Sequence, residues 1–201
     1  MLRVGLTGGL ASGKSFVGRA LADLGCYLIE ADKLGHQVMM PDGEAYDAIV
    51  REFGPAVLDA EGRISRRKLS GLVWGNPERL EKLNSLVHPP VREREESRMA
   101  EIAQADPAAI VVVEAAILVE TGRYKDFDRL IVAACSAGQQ MERALERGSY
   151  NKEEILARMS RQLPLEQKLS VADYVIDTSG EKEATLEQVR RVYSSLRSLT
   201  A

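Results

Sequence analysis

Gly8-Gly9-Leu10-Ala11-Ser12-Gly13-Lys14-Ser15 has the spacing G-x-x-x-x-G-K-S, and its residue types suit phosphate binding. Glycines let consecutive backbone N–H groups turn toward one anion, and a helix starting just after them adds its positive N-terminal end. The lysine of such a loop sets its ammonium against the β- and γ-phosphates, and the following serine hydroxyl can coordinate Mg²⁺. The motif follows an apolar run, Leu2 to Leu6, and precedes an amphipathic stretch, Phe16 to Leu24. Strand, glycine-rich loop and helix in that order predict a site for ATP or GTP. The bland alternative is a glycine-rich turn with one solvated lysine.

Two carboxylates stand where strands are expected to end. Asp32 closes Ile29-Glu30-Ala31-Asp32. Strand ends line the ligand crevice of a parallel sheet, so Asp32 could accept or orient the proton of an attacking hydroxyl and help hold Mg²⁺. Capping a helix that starts at Lys33 explains the same residue as well. Glu114, after Val111-Val112-Val113, could hold Mg²⁺ through water or be a buried carboxylate with a structural partner. Arg143 and Arg147 share a helix face and precede Gly148-Ser149, as in a lid that brings arginines to a transferring phosphoryl group. Arg158 and Arg161 form a second such pair, and surface helices carry many pairs of this kind without chemical roles. His88, before Pro89-Pro90, could touch substrate or end a helix, while His36, one turn after Asp32, reads as a structural hydrogen-bond partner. Asn151-Lys152-Glu153-Glu154 fails as a guanine-reading N-K-x-D, because Glu replaces the required Asp and the segment opens a helix.

Positioning these residues requires a sheet. Leu2–Thr7, Cys26–Ile29, Ile110–Val113, Leu130–Ala134 and Tyr174–Ile176 read as strands buried on both faces, separated by helical patterns. That alternation predicts an α/β fold with a parallel sheet and helices on both faces. The long interval between the second and third strands, about 33–108, holds helix-like pieces at Lys33–Met40, Gly43–Phe53, Ser65–Trp74, Pro77–Val87 and Val91–Ala105. It is broken by Pro41-Asp42-Gly43, Asp59-Ala60-Glu61-Gly62 and Pro89-Pro90, and suits a helical substrate-binding insertion within a single domain spanning 1–201. A second, charged helical insertion at about 141–168 suits a lid and contains the turn-like Gly148-Ser149-Tyr150-Asn151. With 45% hydrophobic residues the chain can bury a core, and a net charge of −3 argues against nucleic acid as a partner. Cys26 and Cys135 lie far apart in apolar runs, which favours buried thiols in a reducing compartment. No apolar stretch reaches membrane-spanning length, so a cytoplasmic protein without a membrane partner is expected. The oligomeric state is left open, and a monomer is compatible with these residues.

Several motifs recur in a specific order. Leu6-Thr7 leads into the phosphate loop; Glu30-Ala31-Asp32 is followed by His36; His88-Pro89 precedes a long charged helix; Ile117-Leu118-Val119-Glu120-Thr121 comes next. Gln162, Glu166, Lys168, Ala172-Asp173 and Val175-Ile176-Asp177 close the series. Together they resemble the dephospho-coenzyme A kinase family over nearly the whole chain. The resemblance implies a P-loop NTPase fold, three-layer α/β/α with a five-stranded parallel sheet, a helical substrate-binding insertion and a helical lid. It also implies transfer of the γ-phosphoryl of ATP to the ribose 3′-hydroxyl of dephospho-CoA. Another P-loop nucleotide or sugar kinase, or a regulatory P-loop NTPase, is the competing reading.

On the matching positions the resemblance makes Asp32 the catalytic base or orienting carboxylate, and gives Lys14, Arg143 and Arg147 the charge developing on the transferred group. Gly8, Gly9, Leu10, Ala11, Ser12, Gly13, Lys14, Ser15 and Phe16 would bind the nucleotide. Thr7, Asp32, His88 and Glu114 would meet the acceptor, and Ser15 with Asp32 would hold Mg²⁺. Three departures stand out: Phe16 where Thr is usual, Glu114-Ala115-Ala116 in place of D-x-P, and Thr178-Ser179-Gly180 where Asn is frequent.

Overall fold

A computed structural model describes residues 1–73, 75–148 and 151–200 of the chain. Trp74, expected at a helix end, and Ser149 and Tyr150, expected in a turn, lie outside the described residues, as does Ala201. Contacts along the chain divide it into two compact units: residues 1–30 together with 101–201, and residues 31–100.

The first unit is built on one parallel sheet. Its strands are β1 (Leu2–Gly8), β2 (Tyr27–Glu30), β3 (Ile110–Glu114), β4 (Arg129–Ala134) and β5 (Tyr174–Asp177), in the order β2-β3-β1-β4-β5. Each strand coincides with an expected apolar run to within one residue at either end. Uninterrupted apolar runs suit strands covered on both faces, and β3 is buried at all five positions. Register sets Leu6 between Glu114 and Ile131, and Gly8 beside Ala133, so β1, β3 and β4 end near one level. The order reverses at β1, and that switch point is where an open α/β sheet receives its ligand.

One face of the sheet presents Val4, Leu6, Ile110, Val112, Ile131, Ala133 and Ile176, alternate residues along their strands, as a period of two requires. They pack against Val17, Ala20 and Leu21 of α1 (Lys14–Asp23) and Val189, Val192 and Leu196 of α9 (Lys182–Ser198). Between β4 and β5 come α6 (Ala137–Glu146), α7 (Lys152–Met159) and α8 (Leu165–Leu169), and the right-handed crossover rule assigns this connection to the opposite face. Capping boxes start two of these helices: Ser136 with Gln139 for α6, and Asn151 with Glu154 for α7. Asn151 therefore does helix-capping work, which accounts for the residues that superficially resemble N-K-x-D.

The second unit is helical. It comprises α2 (Ala31–Gln37), α3 (Tyr46–Phe53), α4 (Arg66–Val73) and the greater part of α5 (Pro77–Ala105). Val38, Ile49, Val57, Leu69, Val73 and Met99 are among its buried residues. Arg94 on α5 donates from Nε to Glu44 Oε1 at 2.9 Å and from Nη1 to Gln37 Oε1 at 3.3 Å, tying the segment around α2 to α5.

One expectation needs correction. Pro89-Pro90 was expected to break the insertion into two helical pieces, yet α5 runs continuously through both prolines. Two prolines remove two backbone donors and strain the preceding turn. A helix of 29 residues retains several regular turns on each side to carry that local loss. Asn76 and Pro77 also start it well: Asn76 Oδ1 accepts the Arg79 N–H at 3.1 Å, and Pro77 occupies the first helical position.

Candidate active site

The phosphate loop turns from the end of β1 into the first residue of α1. Gly13 has φ of 87°, a left-handed conformation that side-chain-bearing residues resist. A Cβ on Gly8 would lie 2.4 Å from the Ala133 carbonyl oxygen, so backbone approach alone excludes a larger residue there. Ala11 takes φ of 53° at the loop tip, the one non-glycine with positive φ among the described residues. Its conformation is held by packing: Ala11 is buried with Ala144 and Ile155, and Leu10, Met141 and Met159 close around them. The loop tip thus rests on α6 and α7, the helices expected to form a lid.

Lys14 is buried and curls back over the loop, its Nζ donating to the carbonyls of Gly8 at 3.1 Å and Gly9 at 3.0 Å. Ser15 Oγ donates to Glu114 Oε1 at 2.6 Å, which joins the first turn of α1 to the end of β3. A hydroxyl and a carboxylate converging in this way form an oxygen-only donor pair, the chemistry a hard cation such as Mg²⁺ accepts. Phe16, half-buried, follows on α1 and donates its N–H to Gly13 at 3.0 Å. Thr7 is fully buried and its hydroxyl donates to the Ala116 carbonyl at 3.2 Å.

Residues after β5 brace the same loop. The Thr178 hydroxyl lies 2.7 Å from the Ser12 carbonyl and 3.0 Å from that of Ala134, and its side chain stands where a Cβ on Gly13 would meet it at 3.3 Å. Arg143 Nη2 donates to the Thr178 carbonyl at 2.7 Å, so this guanidinium is engaged on the β5 side of the loop. Arg147 is the exposed C-terminal cap of α6, one turn further on. Ser179 donates to the Asp177 carboxylate through its side chain and backbone, which holds that acid below its ordinary range. Cys135, buried after β4, is an un-ionised thiol whose pKa burial raises.

In the helical unit, Asp32 is exposed in the first turn of α2, and His36 is in its last turn. His88 is half-buried within α5, immediately before the two prolines. Among residues not assigned a role from sequence, Gln140 and Gln162 stand out. Gln140 is buried with its Oε1 2.4 Å from the position of a Cβ on Gly9, and Gln162 Oε1 accepts the Leu10 N–H at 2.8 Å. Gln162 carried a signal, its place in the closing motif; Gln140 carried none, because a glutamine in a capped amphipathic helix is unremarkable. No helix among the described residues is long and apolar enough to cross a membrane.

Comparison with known proteins gives one result. The family model described as CoaE, dephospho-CoA kinase, matches residues 2–184. A dephospho-CoA kinase of Aquifex aeolicus is 38% identical over 196 residues, covering 98% of both chains. One of Thermobifida fusca is 40% identical over 197 residues, covering 98% of this chain and 97% of the other. The crystal structure of TT1252 from Thermus thermophilus superposes with a TM-score of 0.84 at 29% identity, covering 96% of each chain. With its glycine loop, its parallel sheet and these full-length similarities, the chain belongs to the dephospho-CoA kinase family.

Proposed function

We propose that this protein transfers the γ-phosphoryl group of ATP to the ribose 3′-hydroxyl of dephospho-CoA, giving coenzyme A and ADP. The observation that carries the reading is the convergence of Lys14, Ser15 and Glu114 at the ends of β1 and β3, in a chain of this family. Loop amides and the α1 N-terminus between Gly8 and Phe16 bind the phosphates, with the exception of the Leu10 amide, which is bonded to Gln162. Lys14 exchanges its two loop carbonyls for phosphate oxygens, and Arg143 and Arg147 add positive charge as the phosphoryl group moves. Ser15 with Asp32 would hold Mg²⁺, Glu114 would support the ion through water, and the ion would supply neutralisation of phosphate charge. Asp32 takes or orients the proton of the attacking hydroxyl. His88 and the helical insertion receive the acceptor, while Thr7, buried, acts through Ala116. The free, buried thiols of Cys26 and Cys135 support a reducing, cytoplasmic setting.

The test is an acceptor-dependent assay. Purified protein with ATP and Mg²⁺ is expected to release ADP in step with added dephospho-CoA, with coenzyme A as the product. Equal turnover on nucleosides or sugars, or ATP hydrolysis indifferent to every small acceptor, would overturn the reading.

A further inference from the structure

The α7–α8 connector and the helix α8 that follows it are tied to the phosphate loop and to the residue before it. Directly, Gln162 Oε1 accepts the N–H of Leu10 at 2.8 Å. Indirectly, Lys168 Nζ donates to the Ala116 carbonyl at 3.3 Å, and the same carbonyl accepts the hydroxyl of Thr7, the residue before the loop. Glu120 fastens the arrangement: its Oε1 accepts both Lys168 Nζ at 2.5 Å and the Leu163 N–H at 3.0 Å.

Lys168 is only 1% exposed, and a buried ammonium is costly unless paired and hydrogen-bonded. A hydrophobic residue could fill the same space without that cost, so the ionic network argues for defined geometry rather than for stability. The Leu10 contact is equally pointed. A free loop amide at Leu10 could turn toward phosphate or water; bound to Gln162, it is withdrawn from that set. The loop tip, strained at Ala11, is then fixed in one shape.

We propose that Gln162 is a positioning residue for phosphoryl transfer, acting through the Leu10 amide to hold the α7–α8 connector and the phosphate loop in one register. The inference rests on the kinase reading above. It deepens that reading, because loop geometry matters most where charge develops in the transition state. Gln162 therefore governs turnover more than nucleotide affinity.

Gln162→Met keeps the length of the side chain and removes the acceptor oxygen. It is expected to lower kcat about tenfold or more, the scale of lost charge stabilisation or orientation, with KM for ATP changed less than about threefold. Hydrogen exchange at the Leu10 amide, followed without acceptor, should accelerate in the same variant. Gln162→Glu, which keeps an acceptor oxygen, should preserve the Leu10 protection. Should the methionine variant fail to fold, Gln162→Asn, with its oxygen drawn back by one methylene, supplies the same two readouts. Unchanged kcat despite faster Leu10 exchange overturns the proposal, as does a loss confined to KM or an unchanged Leu10 exchange rate. The wild-type assay separates the two levels: no transfer to dephospho-CoA defeats the functional reading, whereas full transfer by Gln162→Met defeats only the positioning role.

Discussion

Ser15 Oγ and Glu114 Oε1 are 2.6 Å apart, linking the last residue of the phosphate loop to the last residue of β3. The pair explains why a carboxylate at this strand end is buried: its neighbour in register is Leu6, at the core of the sheet, and its hydrogen-bond donor is a loop residue. A metal ion held here would compete with the Ser15 hydroxyl for the same carboxylate oxygen.

Glu114→Gln removes the charge while keeping size and an acceptor. The Mg²⁺ concentration for half-maximal turnover is expected to rise about tenfold or more, the range found when groups supporting a metal site are altered. A Mg²⁺ titration at fixed ATP measures it. Unchanged Mg²⁺ dependence would make Glu114 a structural partner of Ser15 alone.

Lys14→Ala and Asp32→Asn are each expected to reduce turnover at least about a hundredfold, the scale of a lost electrostatic or acid–base contribution. Their signatures differ. Lys14→Ala also removes two hydrogen bonds to loop carbonyls and should weaken ATP binding in calorimetry. Asp32→Asn should leave ATP affinity near normal, and near-normal turnover in this variant would remove Asp32 as the base.

Arg143 and Arg147 should separate kinetically. Arg143 is bonded to the Thr178 carbonyl, which stands against the loop through Ser12, so Arg143→Ala should raise KM for ATP as well as lower turnover. Arg147→Ala should lower turnover more than it weakens ATP binding if, as proposed, its contact forms as charge develops. Equal losses for Arg147→Ala in both would mark it as a ground-state phosphate ligand.

Burial raises the Cys26 thiol to about 11, with Arg197 pulling weakly the other way, and raises Cys135 as well. Both thiols should resist a thiol reagent at pH 8 in the folded protein and react fully once unfolded. The stability consequence has a definite sign. Above the ordinary value of 9.0 the unfolded chain ionises Cys26 while the folded chain keeps the proton, so this contribution falls as pH rises from 9.0 towards about 11. Urea unfolding at pH 7.5, 9 and 10.5, compared between wild type and Cys26→Ala, reads it: the pH-dependent loss should shrink in the variant.

Much of the fold was legible because its signals are local. Five apolar runs bounded by turns became five strands, and the P-loop spacing with its flanking periodicities marked strand, loop and helix. Pro89-Pro90 misled for the same reason. Two prolines argue locally for a break, but α5 has enough regular turns on either side to pass through them. Gln140, lying against Gly9, was invisible as a site residue, and Thr178, noted only as a departure from the family pattern, gave no sign of its bond to Ser12, because their partners are more than a hundred positions away in sequence.

The sequence by itself determined the chemistry on offer: an anion-binding loop with its lysine and serine, carboxylates at strand ends, arginines on one helix and the ordered motifs of a kinase family. Residue type and short-range spacing suffice for that, since they govern strand, turn and cap. The tertiary structure alone decided how those groups are held. It set Ser15 on Glu114, Arg143 on Thr178, and the loop amide of Leu10 on Gln162. Such contacts arise only when a parallel sheet aligns its strand ends and the connections fold back over them, and no local pattern in the chain encodes which distant side chain arrives.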